Sequence, residues 1–194
     1  EEVRNAFLAA VLGIDLGEIV ESRILPSHLR QKDKDDKLGI LDVRVLLNNK
    51  EQIDIEIQVT ASEYWAERTL FYLGKMFTDQ LKPGEDYQKL EKCIHIGILN
   101  FTMFEDEEYY SCFHFWSDQG RKMYSDKVEI HTLELPKLAK YEYPETELLK
   151  WLQFINAETK EEFEMAAEKS EYIKKAYEDL NRISADEEKR LEYE

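Results

Sequence analysis

The chain has 194 residues, a net charge of −16, 7 Gly, 4 Pro and 2 Cys. That is enough for one domain with a real core plus an appendage, and the ordinary apolar and aromatic content excludes a disordered or collagen-like chain. No basic stripe of the kind a strong duplex binder carries is visible. Two cysteines make neither a disulfide framework nor a zinc cluster, and no apolar run approaches the roughly 20 residues that span a bilayer.

Val3, Phe7 and Ala10/Val11 recur at helical spacing and predict a helix over residues 2–12, with Gly13 as its stop. Residues 19–25 read as a strand ending before Pro26, and residues 27–37 as a solvated loop in which Lys32 through Lys37 are all charged. Two strands follow, 40–47 and 53–59, joined through the turn-forming Asn48-Asn49-Lys50. Ser62 is placed to cap a helix reaching about Leu81, closed by Pro83-Gly84. Residues 92–101 form the continuous apolar run of a central, two-sided strand. Strands 109–116 and 128–135 come next, separated by a polar turn around Asp118-Gln119-Gly120.

Pro144 starts a helix through Ile155, with Leu148, Leu149, Leu152 and Ile155 on one face. The remainder reads as one or two charged helices with a thin apolar stripe of Phe163, Ala167, Ile173, Tyr177 and Leu180. The order of elements implies an α/β domain with a mixed sheet over residues 1–140 and a helical extension over 141–194. The extension is the more acidic part, with 8 Lys+Arg against 16 Asp+Glu. A chain with no signal-peptide pattern and two unpaired cysteines is expected in a reducing cytoplasm, and Glu1 in place of Met reads as an excised or processed piece.

Strand parity gives the 40–59 hairpin its chemistry. Asp42 and Arg44 share one face of the first strand; Asp54, Glu56 and Gln58 share one face of the second. If the apolar faces meet one core, the polar faces coincide, and the favoured register sets Asp42 across from Glu56 and Arg44 across from Asp54. Opposed Cβ atoms are about 4.5–5.5 Å apart, so two facing carboxylates need a proton, a cation or solvent between them. Oxygen ligands on a rigid sheet suit Mg²⁺ or Mn²⁺. On parity alone the wet face of an amphipathic hairpin is the better reading.

The stretch LGILDVRVLLNNKEQIDIEIQV, followed by YWAERTLFYLGKMFTDQLKPGEDYQKLEKCIHIGILNF, resembles the recombination-promoting nuclease (Rpn) and putative transposase family of the PD-(D/E)XK superfamily. The later IHTLELPKL and the ending KKAYEDLNRISADEEKRLEYE extend the likeness over nearly the whole chain. The resemblance turns the hairpin acids into an expected metal site. It implies a restriction-endonuclease-like core, a mixed sheet flanked by helices, and a metal-dependent DNA endonuclease serving recombination or transposition. Asp42 and Glu56 would bind Mg²⁺ (or Mn²⁺), with the Ile57 carbonyl a third ligand. Gln58 takes the place of the motif lysine, where an amide hydrogen-bonds but carries no charge, so the source of positive charge is left open.

Arg68 is then a candidate phosphate contact and Lys75 a weaker one; Gln80, Tyr72, Tyr87 and Glu18 are lesser candidates. His95 reads as a core histidine, and His28, His114 and His131 form no spaced pair that would support zinc or a triad. The expected partner is DNA, with no membrane and with pairing of chains through the C-terminal helices. The rival reading is a catalytically silent module on the same scaffold.

Overall fold

The structure is a computed structural model that describes residues 1–29 and 41–192, with side chains described through residue 185. Residue 40, at the predicted strand start, and most of the charged loop over 27–37 lie outside the described residues. The chain forms two compact units, Val20–Glu142 and Glu1–Ile19 with Tyr143–Glu194.

The larger unit is built on a mixed sheet of six strands: β1 (Ser22–Leu25), β2 (Val43–Leu47), β3 (Glu51–Gln58), β4 (Cys93–Leu99), β5 (Tyr110–Trp116) and β6 (Met123–Glu134). Their order across the sheet is β1-β2-β3-β4-β6-β5. β1, β2 and β3 run as an antiparallel meander, β3, β4 and β6 are parallel, and β5 returns antiparallel on β6. Asn48 and Asn49 both take positive φ, 50° and 57°, the paired left-handed conformation that a two-residue hairpin loop requires. That turn fixes the β2–β3 register at Val43 beside Ile55, Arg44 beside Asp54 and Val45 beside Ile53, the one parity favours. β4 is buried along its whole length, as its apolar run predicts.

One helix, α2 (Trp65–Thr78), belongs to this unit. Trp65, Thr69, Leu73 and Met76 recur along its inner face and are buried. Leu73 and Met76 pack with Leu29, Leu41 and Cys93, and Val128 and Ile130 of β6 close the cluster. Ser62 stands ahead of the helix instead of capping it; its carbonyl accepts from Trp65 N at 3.3 Å, and Tyr64 takes the cap position with no side-chain bond.

The second unit contains α1 (Glu2–Leu12), α3 (Glu147–Ile155), α4 (Lys160–Ala167) and α5 (Glu171–Glu192). The division therefore differs from 1–140 and 141–194 at its start. The apolar face of α1 (Val3, Ala6, Phe7, Ala10) packs against Trp151 of α3 and Ile173 of α5, so its burial is met by helices distant in sequence. Edge-to-face and stacked rings run from Phe7 through Trp151, Phe154 and Phe163 to Tyr177. Among the described residues, no helix is long and apolar enough to cross a membrane.

Candidate active site

The acids of β3 do not form a wet face. Asp54 is 1% and Glu56 8% exposed, whereas Ile57 on the other face is 53% exposed. The parity is as predicted, but both faces are covered: α2 lies over the polar one, and Ile53, Val45 and Leu47 on the other are fully buried. What makes that tolerable is a matched set of partners.

Arg68, on the flank of α2, donates from Nη2 to Glu56 Oε1 at 2.5 Å and to Gln58 Oε1 at 2.6 Å. Its guanidinium lies 4.9 Å from the centre of the Trp65 ring, a cation–π contact that fixes the arm. Trp65 in turn rests against His95 and Phe101. It can do so only because Gly97 faces Glu56 on β4. A Cβ there would come within 2.8 Å of Trp65 Cζ2.

Behind Glu56, His95 Nδ1 donates to Asp54 Oδ2 at 2.8 Å, and both residues are almost fully buried. Expected as a core histidine, His95 is one, but it also stands beside the acids: Asp54, Glu56 and His95 offer ligand atoms all within 4.8 Å of one another. Asp54 Oδ1, Glu56 Oε2 and His95 Nε2 are buried and lack a hydrogen-bond partner among the described residues. Buried polar atoms normally find a partner, so each of these is an open position for a cation or water. Burial pushes the Glu56 carboxyl above its ordinary value, with Asp54 and Asp42 adding to the rise and Arg68 and His95 opposing it.

Asp42 stands exposed one residue before β2, and the register continues to it as the neighbour of Glu56. Its Oδ2 accepts from Ile57 N at 3.3 Å. In a strand the N–H and C=O of one residue leave on the same edge, so the Ile57 carbonyl points to Asp42's side of β3, beyond the end of the ladder. Gln58 is engaged at both ends of its amide, accepting from Arg68 and donating from Nε2 to Thr60 O at 2.7 Å. It thus holds Arg68, a role that the structure adds to its place in the motif.

Other candidates fall away. Gln80 clips the chain elsewhere, donating to Glu91 O and Cys93 Sγ and accepting from Glu91 N. Tyr72 packs on the core, Tyr87 is 81% exposed, and Glu18 completes a capping box with Asp15. Among the described residues, Glu56 pairs with Arg68 and Asp54 with His95, and neither with Lys75. The residues that sequence reading passed over are Asp54, Trp65 and Gly97, and the role of His95. Only the Asp-x-Glu alternation signalled Asp54; the others emerge when β4 pairs with β3 and α2 covers both.

The hard-oxygen donors, the orphaned Oε2 and Oδ1 atoms and the raised Glu56 carboxyl fit a divalent cation. A family model described as PD-(D/E)XK nuclease family transposase matches residues 1–194. No curated protein and no solved structure matches the chain.

Proposed function

The chain belongs to the PD-(D/E)XK nuclease family of transposases, and from that premise we propose that it is a metal-dependent DNA endonuclease, hydrolysing phosphodiesters in recombination or transposition. The observation that carries the reading is the Glu56 carboxylate. It is buried with one oxygen on Arg68 and the other unpartnered, between two further acids, Asp54 and Asp42.

In this reading Asp42 and Glu56 hold Mg²⁺ or Mn²⁺ at the rim, where a hard ion keeps several waters, and the Ile57 carbonyl is on hand as a third oxygen. When bound, the ion supplies Lewis acidity toward a phosphoryl oxygen and lowers the pKa of a water. Arg68, delivered from α2 to the Gln58 position, provides the positive charge that the motif lysine provides elsewhere. Its side chain is 32% exposed, so the guanidinium is both fixed and reachable by a phosphate. Gln58 and Trp65 position Arg68. The Asp54–His95 hydrogen bond lies beneath Glu56 and keeps the strand interior polar.

A second reading has its own observation. Arg68 already neutralises Glu56 at 2.5 Å, which supports a closed, catalytically silent module. Calorimetric titration with Mg²⁺ and Mn²⁺ separates the two. The nuclease reading requires saturable binding that is lost in Glu56→Gln; no heat at millimolar metal, together with no nicking of plasmid DNA, establishes the silent module. Pairing of chains through the C-terminal helices belongs to the same proposal, supported by the exposure of Leu180 and Ile183 on α5. Leu180→Glu with Ile183→Glu tests it by sedimentation without removing Ile173 from the Trp151 cluster.

A further inference from the structure

A second polar cluster lies on the other face of the same sheet and is not used by the nuclease chemistry. Glu129 and His131 stand two apart on β6 and share a face. Cys112 and His114 stand two apart on β5 across a register irregularity, and His114 is placed on the same side by its contacts with Cys112 and Glu129. The β5–β6 ladder places Cys112 directly beside His131. On β4 the neighbours of Glu129 and His131 are Ile94 and Ile96, whereas Glu56 lies beside Gly97 and Asp54 beside His95. By that alternation this cluster is on the face opposite the acids.

Three donors of mixed chemistry converge, Cys112, Glu129 and His131, and His114 stands beside them with Nδ1 toward Cys112 and Nε2 toward Glu129. Cys112 Sγ lies 4.0 Å from His131 Nε2 and 3.9 Å from His114 Nδ1. Glu129 Oε1 is 2.6 Å from His131 Nε2, and its Oε2 is 2.9 Å from His114 Nε2. Lys92 Nζ is also on Oε2, at 2.5 Å. Cys112, Glu129 and His131 present ligand atoms all within 4.8 Å of one another. Metal bonds of about 2.0–2.3 Å set neighbouring tetrahedral donors roughly 3.3–3.8 Å apart, which the observed 2.6–4.0 Å spacings bracket.

The surroundings are those of a ligand histidine. The far nitrogen of His131, Nδ1, meets Tyr110 OH at 3.0 Å, and the two rings stack. Without metal, Nε2–H donates to Glu129 Oε1 and Nδ1 faces Tyr110 OH. In the other neutral tautomer Nδ1–H donates to that hydroxyl and the Nε2 lone pair is released toward Cys112 and Glu129, the outer hydrogen bond that fixes a ligand histidine.

We propose that Cys112, Glu129 and His131, with His114 as fourth ligand, form a second metal site, selective for Zn²⁺-class ions and separate from the acids under α2. A thiolate and imidazoles favour such ions over Mg²⁺, which takes oxygen ligands and water. Binding forms metal–sulfur, metal–nitrogen and metal–oxygen bonds and releases the Cys112 thiol proton to solvent. The His131 hydrogen bond to Glu129 is replaced as the Nε2 proton leaves and Nδ1–H turns to Tyr110 OH, and His114 binds through its unprotonated ring nitrogen. Lys92 keeps its ion pair with the outer carboxylate oxygen or turns to solvent. No electron is transferred.

Co²⁺ titration of the full chain tests it, since a cobalt thiolate absorbs in the near ultraviolet and an all-oxygen site does not. The expected result is a thiolate band saturating at one Co²⁺ per chain and removed by Zn²⁺. It should be absent in Cys112→Ser, present in Cys93→Ala and in Glu56→Gln, with affinity weakened at least about tenfold in His114→Ala. Circular dichroism matching the parent confirms that each variant is folded. A folded parent chain with no thiolate band at excess Co²⁺, or a band that survives Cys112→Ser, overturns the proposal.

Discussion

Glu56 and Glu129 both stand on buried strands of one sheet beside a histidine and a cation, yet their carboxyls are pushed in opposite directions. Burial raises Glu56, and its acidic neighbours Asp54 and Asp42 raise it further against Arg68 and His95. Burial acts on Glu129 too, but hydrogen bonds and charge from His131 and Lys92 outweigh it and hold the carboxyl at about 2. The difference lies in the neighbours' signs and not in depth. At Glu56 a buried carboxylate oxygen lacks a partner among the described residues, so in the reading proposed above a hard cation would complete the site. At Glu129 every oxygen is satisfied, and a metal must displace hydrogen bonds, with the Cys112 thiolate supplying the reason to bind.

The comparison breaks most visibly at Asp42. Asp42→Asn should lower Mg²⁺-dependent nicking by about 10²–10³-fold, with thermal unfolding close to the parent because the residue is exposed. Cys112→Ser should leave that nicking unchanged; an equal loss in both would merge what are here two independent sites. Next comes Arg68→Ala, which leaves Glu56 Oε1 and Gln58 Oε1 without their donor and should cost about 1–3 kcal/mol in urea unfolding. Arg68→Lys should recover part of the charge but not the two-acceptor geometry. Gly97→Ala forces a methyl against Trp65 and should cost about 1–3 kcal/mol, lowering nicking as well because Trp65 positions Arg68.

The smallest effect is in pH. With the Glu56 carboxyl raised, its proton competes with metal, so Mg²⁺ affinity should fall with decreasing pH at values above the ordinary carboxylate range. The depressed Glu129 behaves in the reverse sense. Its stabilisation is present above the unfolded carboxylate value and is lost progressively as pH falls from there through about 2. Mg²⁺ titrations and unfolding curves across the acid range read the two separately, and a shared midpoint would erase the contrast.

Much of this was legible in the residues. The alternation Ile53-Asp54-Ile55-Glu56-Ile57-Gln58 with the Asn48-Asn49 turn determines the β2–β3 register, because a one-residue slip would exchange faces. What parity cannot tell is that the polar face is covered as well as the apolar one. That was decided by Trp65, Thr69 and Leu73 of α2, whose inner stripe finds its sheet only in three dimensions. His95 hides in an apolar run, and its partner Asp54 is 41 residues away. The Cys112–His131 cluster escaped for the same reason, since ligands two apart on paired strands match no short spacing. The first helix shows the limit for domain boundaries: its apolar face is plain, but nothing in residues 2–12 says that Trp151 and Ile173 will meet it.

The central claim is that the acids under α2 are a working metal site. The direct measurement is nicking of supercoiled plasmid by the parent chain and by Glu56→Gln, side by side, with Mg²⁺ and with EDTA. The account predicts cleavage by the parent in Mg²⁺ alone and none by the variant. Equal cleavage by both, or cleavage that persists in EDTA, would contradict it.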